Sequence, residues 1–132
     1  MIFVDSDAFI GIIAPQDAHH LNANAVFDRL AKTEEKLVTS WETIDEVSTK
    51  LSRYFGKDCA DMLFVLLPKA NIIVVYVDQA LSQTTVEIFK KQTSKNVSLT
   101  DCANIAICRS MRITTVFSFD PHYKKNGLKL LS

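Results

Sequence analysis

Five short runs rich in β-branched and aromatic residues punctuate this chain, and longer stretches with helical periodicity separate them. The runs are MIFV (1–4), KLVT (36–39), NIIVVYV (71–77), TTVFSF (114–119) and LKLL (128–131). Such residues fit a pleated, half-buried surface. NIIVVYV carries no charge and therefore reads as a strand buried on both faces. Helices are predicted over 18–34, 40–55, 57–69, 79–93 and 100–111. Apolar Leu21, Ala25 and Leu30 recur along the first. The second opens on a Ser N-cap and carries a stripe of Ile44, Val47, Leu51 and Tyr54, and the third stops near Pro68. Strands alternating with helices imply right-handed crossovers and a parallel sheet covered on both faces. The predicted class is α/β, a single-domain three-layer α/β/α sandwich around a parallel sheet of about four to five strands.

At 132 residues the chain fits one domain spanning 1–132, long enough to fold without a disulfide or structural metal. With only 3 Gly and 3 Pro, low-complexity sequence and long linkers are excluded. The three cysteines, Cys59, Cys102 and Cys108, form no CxxC pair and no zinc-finger spacing. Together with the lack of a signal peptide they point to a reducing, cytoplasmic setting. No apolar run approaches the roughly 18 residues of a spanning helix, so no membrane partner is expected. Lys plus Arg and Asp plus Glu balance at 15 each, which argues against a dedicated nucleic-acid binder but not against an enzyme with a local basic patch.

The acids are not scattered. MIFV runs straight into Asp5 and Asp7, and no Lys or Arg precedes Arg29. Asp120 follows TTVFSF, Asp78 follows NIIVVYV, and Asp101 opens the helix 100–111, where the helix dipole favours negative charge. Glu46 lies on the helix after KLVT, roughly 130° from the centre of its apolar stripe. In open parallel sheets, ligands bind outside the carboxyl ends of the strands. Singly, each acid has a structural explanation: Asp78 as an N-cap, Asp101 as a first-turn acid, Asp120 before Pro121 as a turn starter, Glu46 as a solvated residue like Glu42 and Asp45. As a set they would repel one another in a cleft unless a hard cation neutralised them. Mg²⁺ or Mn²⁺, one or two ions, take oxygen ligands and leave positions open for water and phosphate.

FVDSDAFI, LVTSWETIDEV, SLTDCANIAICRSM and VFSFDPHY, in that order, resemble the four motifs of the PIN-domain ribonucleases, most closely the small VapC-type toxins, over essentially the whole chain. The resemblance implies a PIN-like fold and metal-dependent hydrolysis of RNA phosphodiester bonds. It carries the family's catalytic, metal-binding acids onto Asp5, Glu46, Asp101 and Asp120, and prefers Glu46 over Glu42. The family more often has Asn, Ser or Thr where Asp7 stands. Ser6, Asp7, Asn104 and Ser118 are expected to support the acids by hydrogen bonds. The resemblance also implies an RNA substrate, a homodimer and a small antitoxin partner.

No GxxxxGK[ST], GxGxxG or HExxH is present, which excludes the common nucleotide and zinc-protease sites. His19 and His20 read as surface residues and His122 as a loop histidine. Two other readings remain at this stage. A receiver-like signalling domain shares the architecture, but it pairs adjacent acids and needs a late strand-end Lys. A non-catalytic PIN-like module would bind RNA or protein with no use for clustered carboxylates. The helix segment CADMLFVLL (59–67), apolar on most of its circumference, is either a core helix or an interface.

Overall fold

The computed structural model describes residues 1–132. Five parallel strands form one sheet: β1 (Ile2–Val4), β2 (Leu37–Ser40), β3 (Ile73–Val75), β4 (Thr115–Phe117) and β5 (Lys129–Leu131), in the order β3-β2-β1-β4-β5. Seven helices connect and cover them: α1 (Ser6–Ile13), α2 (His20–Leu30), α3 (Trp41–Phe55), α4 (Lys57–Lys69), α5 (Gln79–Lys91), α6 (Leu99–Ser110) and α7 (His122–Lys125). The predicted α/β/α sandwich is thus realised. The strand order departs from the 2-1-3-4-5 of receiver-type sheets, which sets that alternative aside.

Two apolar clusters lie on the two sides of the sheet. One packs Ile2, Val4 and Phe117 against α1 to α4, through Phe9, Val26, Ile44, Leu51 and Leu63. The other packs Phe3, Val38 and Val116 against α5 and α6, through Ile88, Ile105 and Ile107. Alternate residues of β1 face opposite layers, as the two-residue period of a strand requires. Cys102 and Cys108 are buried, unpaired members of the second cluster.

Several local expectations hold and several are corrected. Ser40 caps α3 by accepting from the Thr43 amide, and Asp78 caps α5 by accepting from the Leu81 amide. NIIVVYV, expected to be buried on both faces, is instead the sheet's edge: Ile73 is exposed and Tyr76 more so. Absence of charge marks a strand but not its place in the order. The buried face of α2 runs through Ala23, Val26 and Leu30, and Leu21 and Ala25 point outward. The stripe of α3 ends at Leu51, with Tyr54 exposed. α1 and α7 had no periodic signature, being eight and four residues long. α4 resolves both readings of its segment. Ala60, Leu63 and Leu67 are in the core, and Met62, Phe64 and Val65 stand about half exposed.

α1 must cross α2 closely to bring Asp5 and Asp7 under the sheet's end. Gly11 permits this, since a Cβ there would lie 2.8 Å from the Ala23 Cβ. Gly11→Ala gains about 1 kcal/mol of helix propensity but overpacks the contact, at a cost of about 1–3 kcal/mol. A net loss of stability is expected in urea unfolding, recovered in Gly11→Ala/Ala23→Gly. A Gly11→Ala protein at least as stable as the parent would show that the helices have room to separate.

Candidate active site

β1 lies at the sheet's switch point. The chain builds outward from it to β2 and β3 on one side, then to β4 and β5 on the other. A crevice opens where the order reverses, and Asp5 and Ser118, just past the ends of the paired strands β1 and β4, stand in it. Asp5 occupies the N-cap position of α1 in extended conformation, but its side chain makes no cap bond. It turns into the crevice instead and is almost completely buried.

Asn104 Nδ2 donates to Asp5 Oδ1 at 3.2 Å, and Ser118 Oγ lies 3.0 Å from Asp5 Oδ2. Ser118 Oγ also lies 3.0 Å from Asp7 Oδ2, which accepts in addition from the Phe119 amide at 2.8 Å. A hydroxyl has one proton to give. Its single proton is shared between two carboxyl oxygens, and Ser118 Oγ itself accepts from the Asp120 amide at 3.1 Å. Burial, then the neighbouring Asp7 charge, pushes the Asp5 carboxyl up to about 8, and burial also raises Asp7. Asp7 Oδ1 is buried with no hydrogen-bond partner.

Asn104 is the hub of this arrangement. Its Oδ1 accepts from Ser40 Oγ at 2.7 Å and Thr43 Oγ1 at 3.1 Å, and its Nδ2 also reaches the Tyr123 hydroxyl at 3.2 Å. The network joins the N-terminus of α3, the middle of α6 and the start of α7 to the end of β1. Ser6 is buried on α1; its backbone amide favours the Asp5 charge, but its hydroxyl makes no hydrogen bond to any of the acids.

Asp101 is the third residue of α6 and forms a capping box with Ser98. The Ser98 amide donates to Asp101 Oδ2 at 2.7 Å and Ser98 Oγ accepts from the Asp101 amide at 3.1 Å. Its Oδ1 faces His122 Nε2 at 3.9 Å. Asp120 is half exposed, accepts from the His122 amide at 2.9 Å and lies 2.8 Å from His122 Nδ1. The histidine read from sequence as a loop residue is therefore buried between two of the acids, because α7 turns it inward.

Glu46 pairs with Lys50 one helical turn on, at 2.5 Å. Burial opposes the Lys50 charge, but the hydrogen bond and charge of Glu46, followed by the charges of Asp5 and Asp101, raise its affinity for its proton. Lys50 is thus the positive group within reach of the acidic crevice. Only its i,i+4 spacing from Glu46 hinted at it. Glu42, expected to be solvated, is instead half-buried, and its Oε2 has no partner. It lines a separate cleft with Val77, Val86 and Leu99.

The donors are all oxygen apart from His122, which suits a hard divalent cation. No three His, Cys, Asp or Glu side chains close into a complete metal cage. An ion here would therefore need waters and a substrate phosphate to complete its shell. The orphaned Asp7 oxygen marks where positive charge is lacking.

A sequence model of the PIN domain matches residues 2–128. No curated protein matches the chain in sequence. Among solved structures the fold is similar to Mycobacterium tuberculosis VapC20, described as a sarcin–ricin-loop-cleaving toxin, with a TM-score of 0.88 at 21% identity over 97% of this chain and 96% of that one. It is also similar to FitAcB from Neisseria gonorrhoeae (TM-score 0.71, 18% identity, 100% and 97% covered). VapBC2 from Rickettsia felis, solved with a DNA fragment from its promoter, gives a TM-score of 0.69 at 15% identity, with 99% and 98% covered.

The state of Asp5 has a consequence for stability in EDTA. Its folded pKa, about 8, stands above the 3.8 of an unperturbed carboxyl. The stabilisation is therefore fully present below about pH 4 and is lost as pH rises through about 8. Asp5→Asn removes this loss. The mutant is expected to be the more stable protein at pH 8 by a few kcal/mol, since about 1.4 kcal/mol accompanies each tenfold change in proton affinity. The gap should close toward pH 4. Parallel stability profiles for the two proteins would mean that Asp5 is not the group holding the proton.

Proposed function

The chain belongs to the PIN-domain family, and from that premise we propose that it is a divalent-metal-dependent endoribonuclease, the toxin of a toxin–antitoxin pair. The observation that carries the reading is the nearness of buried Asp5 to Asp7 and Asp101, and of Asp7 to Asp120, past the ends of β1 and β4. The likeness in fold to a toxin described as cleaving the sarcin–ricin loop supports it.

Mg²⁺ or Mn²⁺ bound there would polarise the phosphate, supply hydroxide at neutral pH and steady the leaving oxygen. Asp5, Asp101 and Asp120 would hold the cation directly or through water. Asn104 and Ser118 keep Asp5 aimed into the crevice, a hydrogen-bonded support of the kind that tunes metal ligands. Glu46 orients the attacking water or serves as a further ligand, with Lys50 balancing its charge.

The substrate side is marked by charge. From Ile88 to Ser132 the only acids are Asp101 and Asp120, against Lys90, Lys91, Lys95, Arg109, Arg112, Lys124, Lys125 and Lys129. A cleft of about 540 Å³ opens beside Asp120 and His122, lined by Lys91, Arg109 and Lys125 with Gln92, Asn96 and Asn126. None of its three cations is paired with a carboxylate. Such a cleft suits a phosphodiester backbone leading to the acids. The exposed Met62, Phe64 and Val65 offer an apolar face for the second copy or the antitoxin that the reading includes.

Two outcomes test it. With Mn²⁺, Asp5→Asn and Glu46→Gln are expected to lose RNA cleavage at least a hundredfold, the scale of a lost acid–base group, and Glu42→Gln to lose little. The reverse ranking of the two glutamates would put the second motif in the wrong register, and full activity in Asp5→Asn would leave only a binding module. Separately, Lys91→Glu/Arg109→Glu/Lys125→Glu should weaken single-stranded RNA binding. It should also flatten the plot of log affinity against log salt by about 0.7 per lost phosphate contact. An unchanged slope would move the RNA track elsewhere.

A further inference from the structure

We propose that His122 is a nitrogen ligand of the cation site, oriented by Asp120 and acting together with Asp101. The inference rests on the metal-dependent reading above and adds to it a donor of a different chemical kind.

A buried imidazole needs partners for both ring nitrogens. The His122 side chain is only 8% exposed and its ring packs on Tyr123, centroids 4.0 Å apart. Yet neither Nδ1 nor Nε2 makes a hydrogen bond of acceptable geometry. Each instead faces one carboxylate oxygen: Nδ1 is 2.8 Å from Asp120 Oδ1, and Nε2 is 3.9 Å from Asp101 Oδ1. The other Asp101 oxygen is engaged by the Ser98 amide, so Oδ1 is the one left to bind.

The two separations have different meanings. At 3.9 Å, Nε2 and Asp101 are too far apart for a hydrogen bond. Two donors each bound ~2.0–2.1 Å from one ion can lie up to ~4.2 Å apart. The gap lies within the span that two ligands of a shared cation can bridge. On the other side of the ring, Asp120 Oδ1 stands 2.8 Å from Nδ1, close to the position from which a carboxylate orients a metal-bound histidine but not in hydrogen-bond geometry. Asp120 would then act on a cation through the ring as well as through water, with His122 placed between Asp120 and Asp101. An imidazolium bridging the same two acids would leave its Nε2 proton without an acceptor in hydrogen-bond range. A nitrogen donor favours first-row transition ions over Mg²⁺, which takes oxygen. His122 thus gives this site a preference for Mn²⁺.

Pulsed electron paramagnetic resonance of Mn²⁺ added to the intact protein reads a directly bound nitrogen without relying on activity. The expected spectrum carries nitrogen modulation that changes its isotope signature in protein labelled with ¹⁵N-histidine. His122→Phe, which keeps a ring against Tyr123, should abolish it, and His19→Gln/His20→Gln should retain it. The double variant leaves His122 as the only histidine, so it assigns the signal even if His122→Phe does not fold. In calorimetric titrations the preference for Mn²⁺ over Mg²⁺ should fall roughly tenfold in His122→Phe, the scale on which support of a metal ligand is felt. Mn²⁺ bound tightly with no nitrogen modulation in the parent overturns this inference and leaves a carboxylate site standing. No Mn²⁺ binding at all overturns both this inference and the metal-dependent reading.

Discussion

Burial of the Asp5 carboxyl at the end of the central strand is the constraint around which the crevice is organised. An isolated charge there would be heavily penalised, and the group responds by holding its proton and gathering hydrogen bonds. Ser118 and Asn104 supply those bonds from β4's end and α6. Asn104 in turn is satisfied by Ser40, Thr43 and Tyr123. A half-satisfied buried network costs more than an apolar core, so each member fixes the next. The ends of β1, β2 and β4 are held in register by the demands of one carboxyl group.

The same economy appears in the other acids, which serve the backbone with one atom and the crevice with another. Asp101 closes a capping box through Oδ2 and leaves Oδ1 facing His122. Asp120 starts the turn into α7 by accepting the His122 amide, which brings the imidazole back over its own carboxylate. Rigid caps and tight turns position functional oxygens more closely than free side chains on a loop would. Lys50, drawn by Asp5 and Asp101 as well as Glu46, offsets part of the charge from within the fold.

Net neutrality conceals a division of charge across the molecule. The N-terminal segment contributes acids without a Lys or Arg before Arg29, and the segment after Glu87 contributes cations whose only acidic company is Asp101 and Asp120. Folding the two ends of the chain against each other, β1 beside β4, sets an acidic crevice at the mouth of a basic cleft.

The sequence by itself determined the features that depend on near neighbours. Alternating runs fixed the sandwich, Ser40 and Asp78 announced their caps, and the acids could be placed at strand ends, because caps and periodicity are settled within one or two turns. α1 escaped notice since SDAFIGII, eight residues with a Gly, has no period to read. What only the tertiary structure decided are relations between distant residues. The order of the sheet put NIIVVYV at its edge. Asp5 and Asn104, 99 positions apart, meet because α6 packs under β1's end. His122 left its expected loop for the interior because a four-residue helix turned it toward Asp101. Composition and spacing constrain what a strand or helix is, but strand order and helix packing choose its neighbours. The partnering of a buried polar atom is a property of neighbours.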